Sequence, residues 1–231
     1  MKPVLADRAR DGRLLVKICG ITSTEDAALA VDAGADAVGF VLWPGSPRAV
    51  SPERAAAIAR DIPEPVLRVG VFVDASAEEM ARTADAVGLD LLQLHGEEPP
   101  SALAGLPRPV LKAVRVGDGF SPSEALGHAV VAAGILVDTR LPGEARVHGG
   151  TGVAFDWSLV ATLRDRVPFL VLAGGLGPSN VAEAIRAVRP HGVDVSSGVE
   201  SGPGRKDPEK VRAFVDAARS AACAPARGAT A

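Results

Sequence analysis

Eight short apolar runs, each followed by a segment of helical character, recur along the 231 residues and leave few folds open to the chain. The strand candidates are 14–19 (LLVKIC), 36–42 (DAVGFVL), 66–73 (VLRVGVFV), 90–94 (DLLQL), 109–116 (PVLKAVRV), 135–139 (ILVDT), 168–173 (PFLVLA) and 193–197 (VDVSS). Eight strand–helix units in roughly 210 residues imply the α/β class and a single (β/α)8 TIM barrel, near the lower end of that fold's size range. The rival is an open, doubly wound sheet. It usually carries fewer strands at this length, and no GxGxxG follows the first strand.

The helix starts are written in capping chemistry. Thr22 with Glu25, Ser76 with Glu79 and Ser121 with Glu124 fit the capping box, and Pro52, Pro122 and Pro208 stand where a first helical residue lacks an N–H partner in any case. Val181, Ala184, Ile185 and Val188 form an apolar stripe, as do Val211, Phe214, Val215 and Ala218. The expected organisation is an N-terminal extension over 1–13, the barrel over 14–219 and a disordered Ala-rich tail over 220–231.

Bulk properties narrow the function classes. A net charge of −3 gives no general attraction to nucleic acid or an anionic membrane. No apolar run approaches the roughly 20 residues that span a bilayer, and the charged start lacks the apolar core of a signal peptide. A cytoplasmic protein is expected, with its two cysteines, Cys19 and Cys223, reduced. His95, His128, His148 and His191 form no zinc-like spacing. Neither a metal nor a cofactor is expected.

Because a barrel of this kind builds its active site from the C-terminal ends of its strands, the residues there are a functional census. Strand 1 ends in Cys19, and strand 2 leads to a loop carrying Arg48. Strand 4 ends in Gln93-Leu94-His95, strand 5 carries Lys112 and Arg115, and strand 6 presents Asp138. Strand 7 ends in Ala173-Gly174-Gly175, and strand 8 gives Asp194 and then Ser196-Ser197-Gly198.

Glycines and small serines after strands 7 and 8 expose backbone N–H groups beside helix starts, which suits a phosphate at Gly174, Gly175, Ser197 and Gly198. A thiolate takes a proton and a carboxylic acid gives one, so Cys19 and Asp138 can move hydrogen between adjacent sugar carbons. The alternatives are a buried, inert thiol and a strand-end turn residue. Arg48 suits a substrate carboxylate, or is a solvated loop charge. Lys112 suits a Schiff base, although no partner set for that chemistry is visible. His95 is either core or pocket lining. Residues 140–153, with glycines at 149, 150 and 152, form either a closing lid or a plain loop.

Seven stretches resemble the phosphoribosylanthranilate isomerase family. They are KICGIT (17–22), GFVLWPGSPRAVSPERA (39–55), LLQLHG (91–96), LVDT (136–139), GGTGVAFDW (149–157), LAGGLGPSNVAEAI (172–185) and GVDVSSGVESGPGRKD (192–207). The resemblance covers nearly the whole chain. It implies the Amadori rearrangement of N-(5-phosphoribosyl)anthranilate to 1-(2-carboxyphenylamino)-1-deoxyribulose 5-phosphate, the third step of tryptophan biosynthesis from chorismate.

By that resemblance Asp138 is the general acid at the ribose ring oxygen and Cys19 the general base at the sugar C2. Arg48 holds the anthranilate carboxylate, and Gly174, Gly175, Ser197 and Gly198 hold the phosphate. Gln93, His95 and Asp194 are further candidate substrate contacts. Activity is expected to rise through neutral to mildly alkaline pH, since a free thiol titrates near ~8.5. The competing readings are an isomerase of the histidine pathway, a dual-specificity barrel and a non-catalytic phosphate-ligand-binding barrel. The family resemblance leaves both monomer and homodimer open.

Overall fold

The structure is a computed structural model that describes residue 5 and residues 11–116, 122–138 and 157–223, apart from the side chains of residues 158 and 159. Eight parallel strands close on themselves in chain order: β1 (Leu15–Cys19), β2 (Ala37–Val41), β3 (Leu67–Phe72), β4 (Leu91–Leu94), β5 (Val110–Arg115), β6 (Gly134–Asp138), β7 (Leu170–Ala173) and β8 (Gly192–Val195). The helices that follow them are α1 (Thr24–Asp32), α2 (Pro52–Ala59), α3 (Ala77–Val87), α4 (Pro100–Leu103), α5 (Pro122–Ala129), α6 (Trp157–Ala161), α7 (Val181–Val188) and α8 (Pro208–Cys223). The (β/α)8 barrel is therefore the observed fold. Between β8 and α8 the chain adds a 3₁₀ turn (Ser197–Val199) and a hairpin of β9 (Glu200–Gly202) and β10 (Arg205–Lys206).

Strand alternation sorts the core into two shells, because successive side chains point to opposite faces. Leu15, Ala37, Leu67, Val69, Leu91, Leu111, Ala113, Leu136, Phe169, Val171 and Ala173 form one cluster, the filling of the barrel. The neighbouring parity on the same strands, including Val16, Val38, Leu92, Val110, Ile135, Leu170 and Val193, joins the helices in the outer shell. The two amphipathic stripes of α7 and α8 lie buried there as their spacing requires.

Helix starts follow the capping pattern with one shift. Ser76 and Ser51 accept from the amides of Glu79 and Arg54, and Asp207 Oδ1 accepts from the amides of Glu209 and Lys210. At α1, however, Ser23 rather than Thr22 is the cap, accepting from Asp26. Thr22 instead donates its hydroxyl to the Gly204 carbonyl at 2.6 Å, pinning the hairpin against the loop after β1. Ser121 lies outside the described residues.

The domain limits also differ from expectation. Leu5, in the supposed extension, is buried within the barrel's inner cluster. Helix α8 runs past 219 to Cys223 with Ala221 buried, and Arg219 ties it to the Leu14 and Gly34 carbonyls and to Asp36. Residues 220–223 thus belong to the folded barrel. The remainder of the tail, and the proposed lid over 140–153, lie outside the described residues. No helix among the described residues is long and apolar enough to cross a membrane.

Candidate active site at the C-terminal mouth

Cys19 is the last residue of β1 and shares its inward parity with Leu15 and Lys17. It is buried, and its register partner on β2 is Gly39. Lys17 pairs in register with Asp194 on β8, and its ammonium donates to Asp194 Oδ1 at 2.9 Å. The same ammonium lies close to the thiol, both flanking the gap left by Gly39. Burial pushes the Cys19 thiol above its ordinary value and Asp194 adds to that. Lys17 and, more weakly, Lys206 act in the opposite sense without reversing it. Lys17 itself is held above its ordinary value: burial works against its charge, but Asp194 and Cys19 outweigh it.

Arg48 packs its stem against the turn after Cys19, where a side chain on Gly20 would collide with its Cδ. Its guanidinium grips Glu200 with two bonds, Nε to Oε1 and Nη2 to Oε2, both at 2.7 Å. Glu200 Oε1 also accepts from Lys206 at 2.9 Å. Bonding to these cations outweighs burial and keeps the Glu200 carboxyl below its ordinary value. The fork expected to face a substrate carboxylate therefore has an internal partner, with Nη1 not engaged by Glu200.

A second group spans β4 and β6. Gln93 Nε2 lies 3.4 Å from His95 Nδ1, and His95 Nε2 lies 3.3 Å from Asp138 Oδ2. His95 and Asp138 are each partly exposed, whereas Gln93 is buried. Gln93 Oε1 and Ser196 Oγ are buried acceptors without a partner among the described residues. Such atoms usually cost ~1–3 kcal/mol when left unpaired.

The third group is the pair of loops after β7 and β8. Gly174 and Gly175 hold φ of 83° and 62°, a left-handed backbone that side chains resist. Asn180 staples this loop, accepting from the Gly177 amide at 2.8 Å and donating to the Gly175 carbonyl at 3.0 Å. Gly198 is pressed so closely on the Leu176 carbonyl that it has no room for a Cβ. The two loops touch through glycine backbone, as a cradle of N–H groups requires.

Every candidate from the strand-end census is at one mouth of the barrel, with two differences of detail. Asp194 lies deeper, held by Lys17, and Lys112 has the outward parity of Val110 and Val114. Lys112 Nζ is spent on Glu98 (2.9 Å) and the Gly96 carbonyl (2.7 Å), away from the interior. The census overlooked Lys17, Glu200 and Lys206. The first was legible, since the lysine of KICGIT stands two residues before the cysteine on one strand face. The other two depend on the hairpin after β8, for which the Pro203-Gly204 turn was the available sign.

Fold and site together define a (β/α)8-barrel enzyme with a thiol, a carboxylate and an arginine grouped at the strand ends. The family model for N-(5'-phosphoribosyl)anthranilate isomerase matches residues 16–217. The chain is 53% identical over 208 residues to the isomerase of that name from Pseudomonas aeruginosa, covering 89% of this chain and 95% of the relative. It is 50% identical over 206 residues to the one from Pelobacter propionicus, covering 88% and 95%. The crystal structure of the Thermotoga maritima phosphoribosyl anthranilate isomerase superposes with a TM-score of 0.83 at 46% identity, over 90% of this chain and all of that one. A phosphoribosyl anthranilate isomerase in complex with reduced 1-(o-carboxyphenylamino)-1-deoxyribulose 5-phosphate superposes with a TM-score of 0.80 at 44% identity, with the same coverage. The chain belongs to the N-(5'-phosphoribosyl)anthranilate isomerase family, enzymes of tryptophan biosynthesis.

Proposed function

We propose that this chain isomerises N-(5'-phosphoribosyl)anthranilate with Asp138 as general acid and Cys19 as general base. The supporting observation is that a thiol beside an ammonium ends β1 while a partly exposed carboxyl ends β6, both on inward-facing positions of one closed barrel. Asp138 gives its proton to the ribose ring oxygen. The C1–O bond breaks, and the anthranilate nitrogen's lone pair forms a C1=N⁺ iminium. The Cys19 thiolate then takes the hydrogen from C2. The C–H electron pair becomes a C1–C2 double bond, and the nitrogen regains its lone pair. The resulting enolamine tautomerises to the ketose, its hydroxyl losing a proton as C1 gains one. No hydride or external oxidant takes part.

The other residues bind and orient. Arg48 turns the part of its fork not used by Glu200 to the anthranilate carboxylate. The backbone amides around Gly174, Gly175, Ser197 and Gly198 hold the phosphate. Gln93 Oε1, short of a donor, suits a ribose hydroxyl, and His95, its Nε2 3.3 Å from Asp138 Oδ2, orients that carboxyl. Asp194 acts through Lys17. The chain works in the cytoplasm as a monomer or homodimer.

The test is loss of substrate fluorescence when phosphoribosylanthranilate, generated in situ, meets the wild-type protein and Asp138→Asn. Turnover in the wild type, reduced at least ~100-fold in the folded variant, is expected for a lost general acid. No wild-type turnover would overturn the assignment and redirect the search to the aminoaldose of the histidine pathway.

A further inference from the structure

Among the described residues the inner filling of this barrel is mostly aliphatic and aromatic, interrupted by Lys17 with Asp194 and by Gln93. Lys17 is 1% exposed and among the largest of the fully buried side chains of the described residues. A buried ammonium survives only when paired; its partner is Asp194, and the Cys19 thiol lies close beside it. The placement is built into the sequence: Lys17 stands two residues before Cys19 on one strand face, and Asp194 is its register partner across the seam between β1 and β8. Gly39 completes it. A Cβ at Gly39 would lie 2.8 Å from Cys19 Sγ and 2.9 Å from Lys17 Nζ, so the sulfur and the ammonium crowd one gap that only glycine leaves open.

We propose that Lys17, held by Asp194, is the positioning residue that readies Cys19 to act as the base. A fixed positive charge close beside the sulfur favours the thiolate, and attraction to that charge fixes where the sulfur sits beneath the sugar C2. Asp194 holds the ammonium in place and moderates its effect, since its negative charge opposes the thiolate. The proposal rests on the reading of Cys19 as the base.

The charged groups bearing on the thiol are Lys17 on β1, Asp194 on β8, Lys206 on β10 and Arg48 in the loop after β2. Glu200 on β9 partly neutralises the last two. Gly39 makes β2 silent. Among these, Lys17 and Asp194 are the pair whose removal should move the thiol in opposite directions, a signature that mere damage to packing does not produce.

The composition makes the experiment clean. The chain has no tyrosine and two cysteines, so in a Cys223→Ser background the rise in absorbance at 240 nm with pH reports Cys19 alone. Lys17→Met, Lys17→Arg and Asp194→Asn are compared in that background, alongside pH profiles of kcat and KM. The titration midpoint is expected to rise by about one pH unit or more in Lys17→Met, to fall in Asp194→Asn and to stay close to the parent in Lys17→Arg. At neutral pH, kcat of Lys17→Met should fall at least ~10-fold with KM little changed, and Lys17→Arg should recover much of it.

Coincident midpoints, or Lys17→Met and Asp194→Asn both moving the same way, would overturn the proposal. Should Lys17→Met not fold, an unchanged or raised midpoint in Asp194→Asn overturns it alone. A folded Cys19→Ala that remains active would instead defeat the base assignment. An inactive Cys19→Ala with unmoved midpoints would defeat only the role of Lys17.

Discussion

Lys17 and Asp194 face each other across the seam where the last strand closes on the first, their charged groups 2.9 Å apart inside the barrel. Closure of the fold and electrostatics of the site are thus one feature. The pairing that aligns β1 with β8 also sets an ammonium against the thiol of Cys19.

The contact between the loops after β7 and β8 leads to a specificity prediction. A methyl group at position 198 would collide with the Leu176 carbonyl backbone, and that atom has little freedom to withdraw. Gly198→Ala should therefore spread the loops and raise KM for the phosphorylated substrate by about 10–100-fold, each tenfold equal to ~1.4 kcal/mol of lost binding. Steady-state kinetics decides it. An unchanged KM would remove this loop pair from phosphate binding.

Lys112 offers the contrasting case of a buried charge kept for structure. It is 3% exposed, and Glu98 accepts from it as well as from the Asp74 and Gly96 amides. Lys112→Met would leave that carboxylate buried without its cation, at a cost of about 3 kcal/mol or more. Denaturant unfolding should show that loss while kcat stays within a few-fold of wild type. A collapse of kcat in a fully folded Lys112→Met would revive the Schiff-base alternative.

His191 makes stability sensitive to mild acid. Its ring stacks on Phe169 at 4.9 Å between centroids, and its Nδ1 accepts from the Leu170 amide at 2.9 Å. Burial first, and Arg164 second, depress its pKa to about 4. A depressed histidine contributes stability that is whole above pH ~6.5 and is lost as the pH falls towards ~4. With part of the ring open to solvent, the loss amounts to roughly 1–2 kcal/mol. In His191→Asn, which offers an uncharged acceptor, this part of the pH dependence should be missing. Thermal melts from pH 7 to 4 on both proteins measure the difference.

Much of this was legible in the chain because barrels repeat. Eight runs such as LLVKIC and ILVDT, each followed by a helical stretch, specify the topology. The fold then turns strand ends into candidate site residues, which is how Cys19, Arg48, Asp138 and the glycines near 174 and 198 came to be proposed. What escaped was pairing. That Glu200 takes the Arg48 fork, that Asp194 is bound by Lys17 and that Lys112 faces outward depend on register, parity and a short hairpin. Strand ends alone do not express these. The misplaced cap at Thr22 has the same origin, since either of two adjacent hydroxyls fits the pattern and the contact with Gly204 decides between them.

The central claim is that the Cys19 thiolate removes the hydrogen from the sugar C2. The most direct measurement is the single-turnover rate of wild type and Cys19→Ala between pH 6 and 9, with ordinary substrate and with substrate deuterated at C2. With the buried thiol held above its ordinary value, wild-type turnover should rise with pH towards its alkaline limit. It should slow several-fold on deuteration, and it should exceed the folded Cys19→Ala at least ~1,000-fold. A pH-independent rate with a full isotope effect, or a Cys19→Ala rate within tenfold of wild type, would contradict the account.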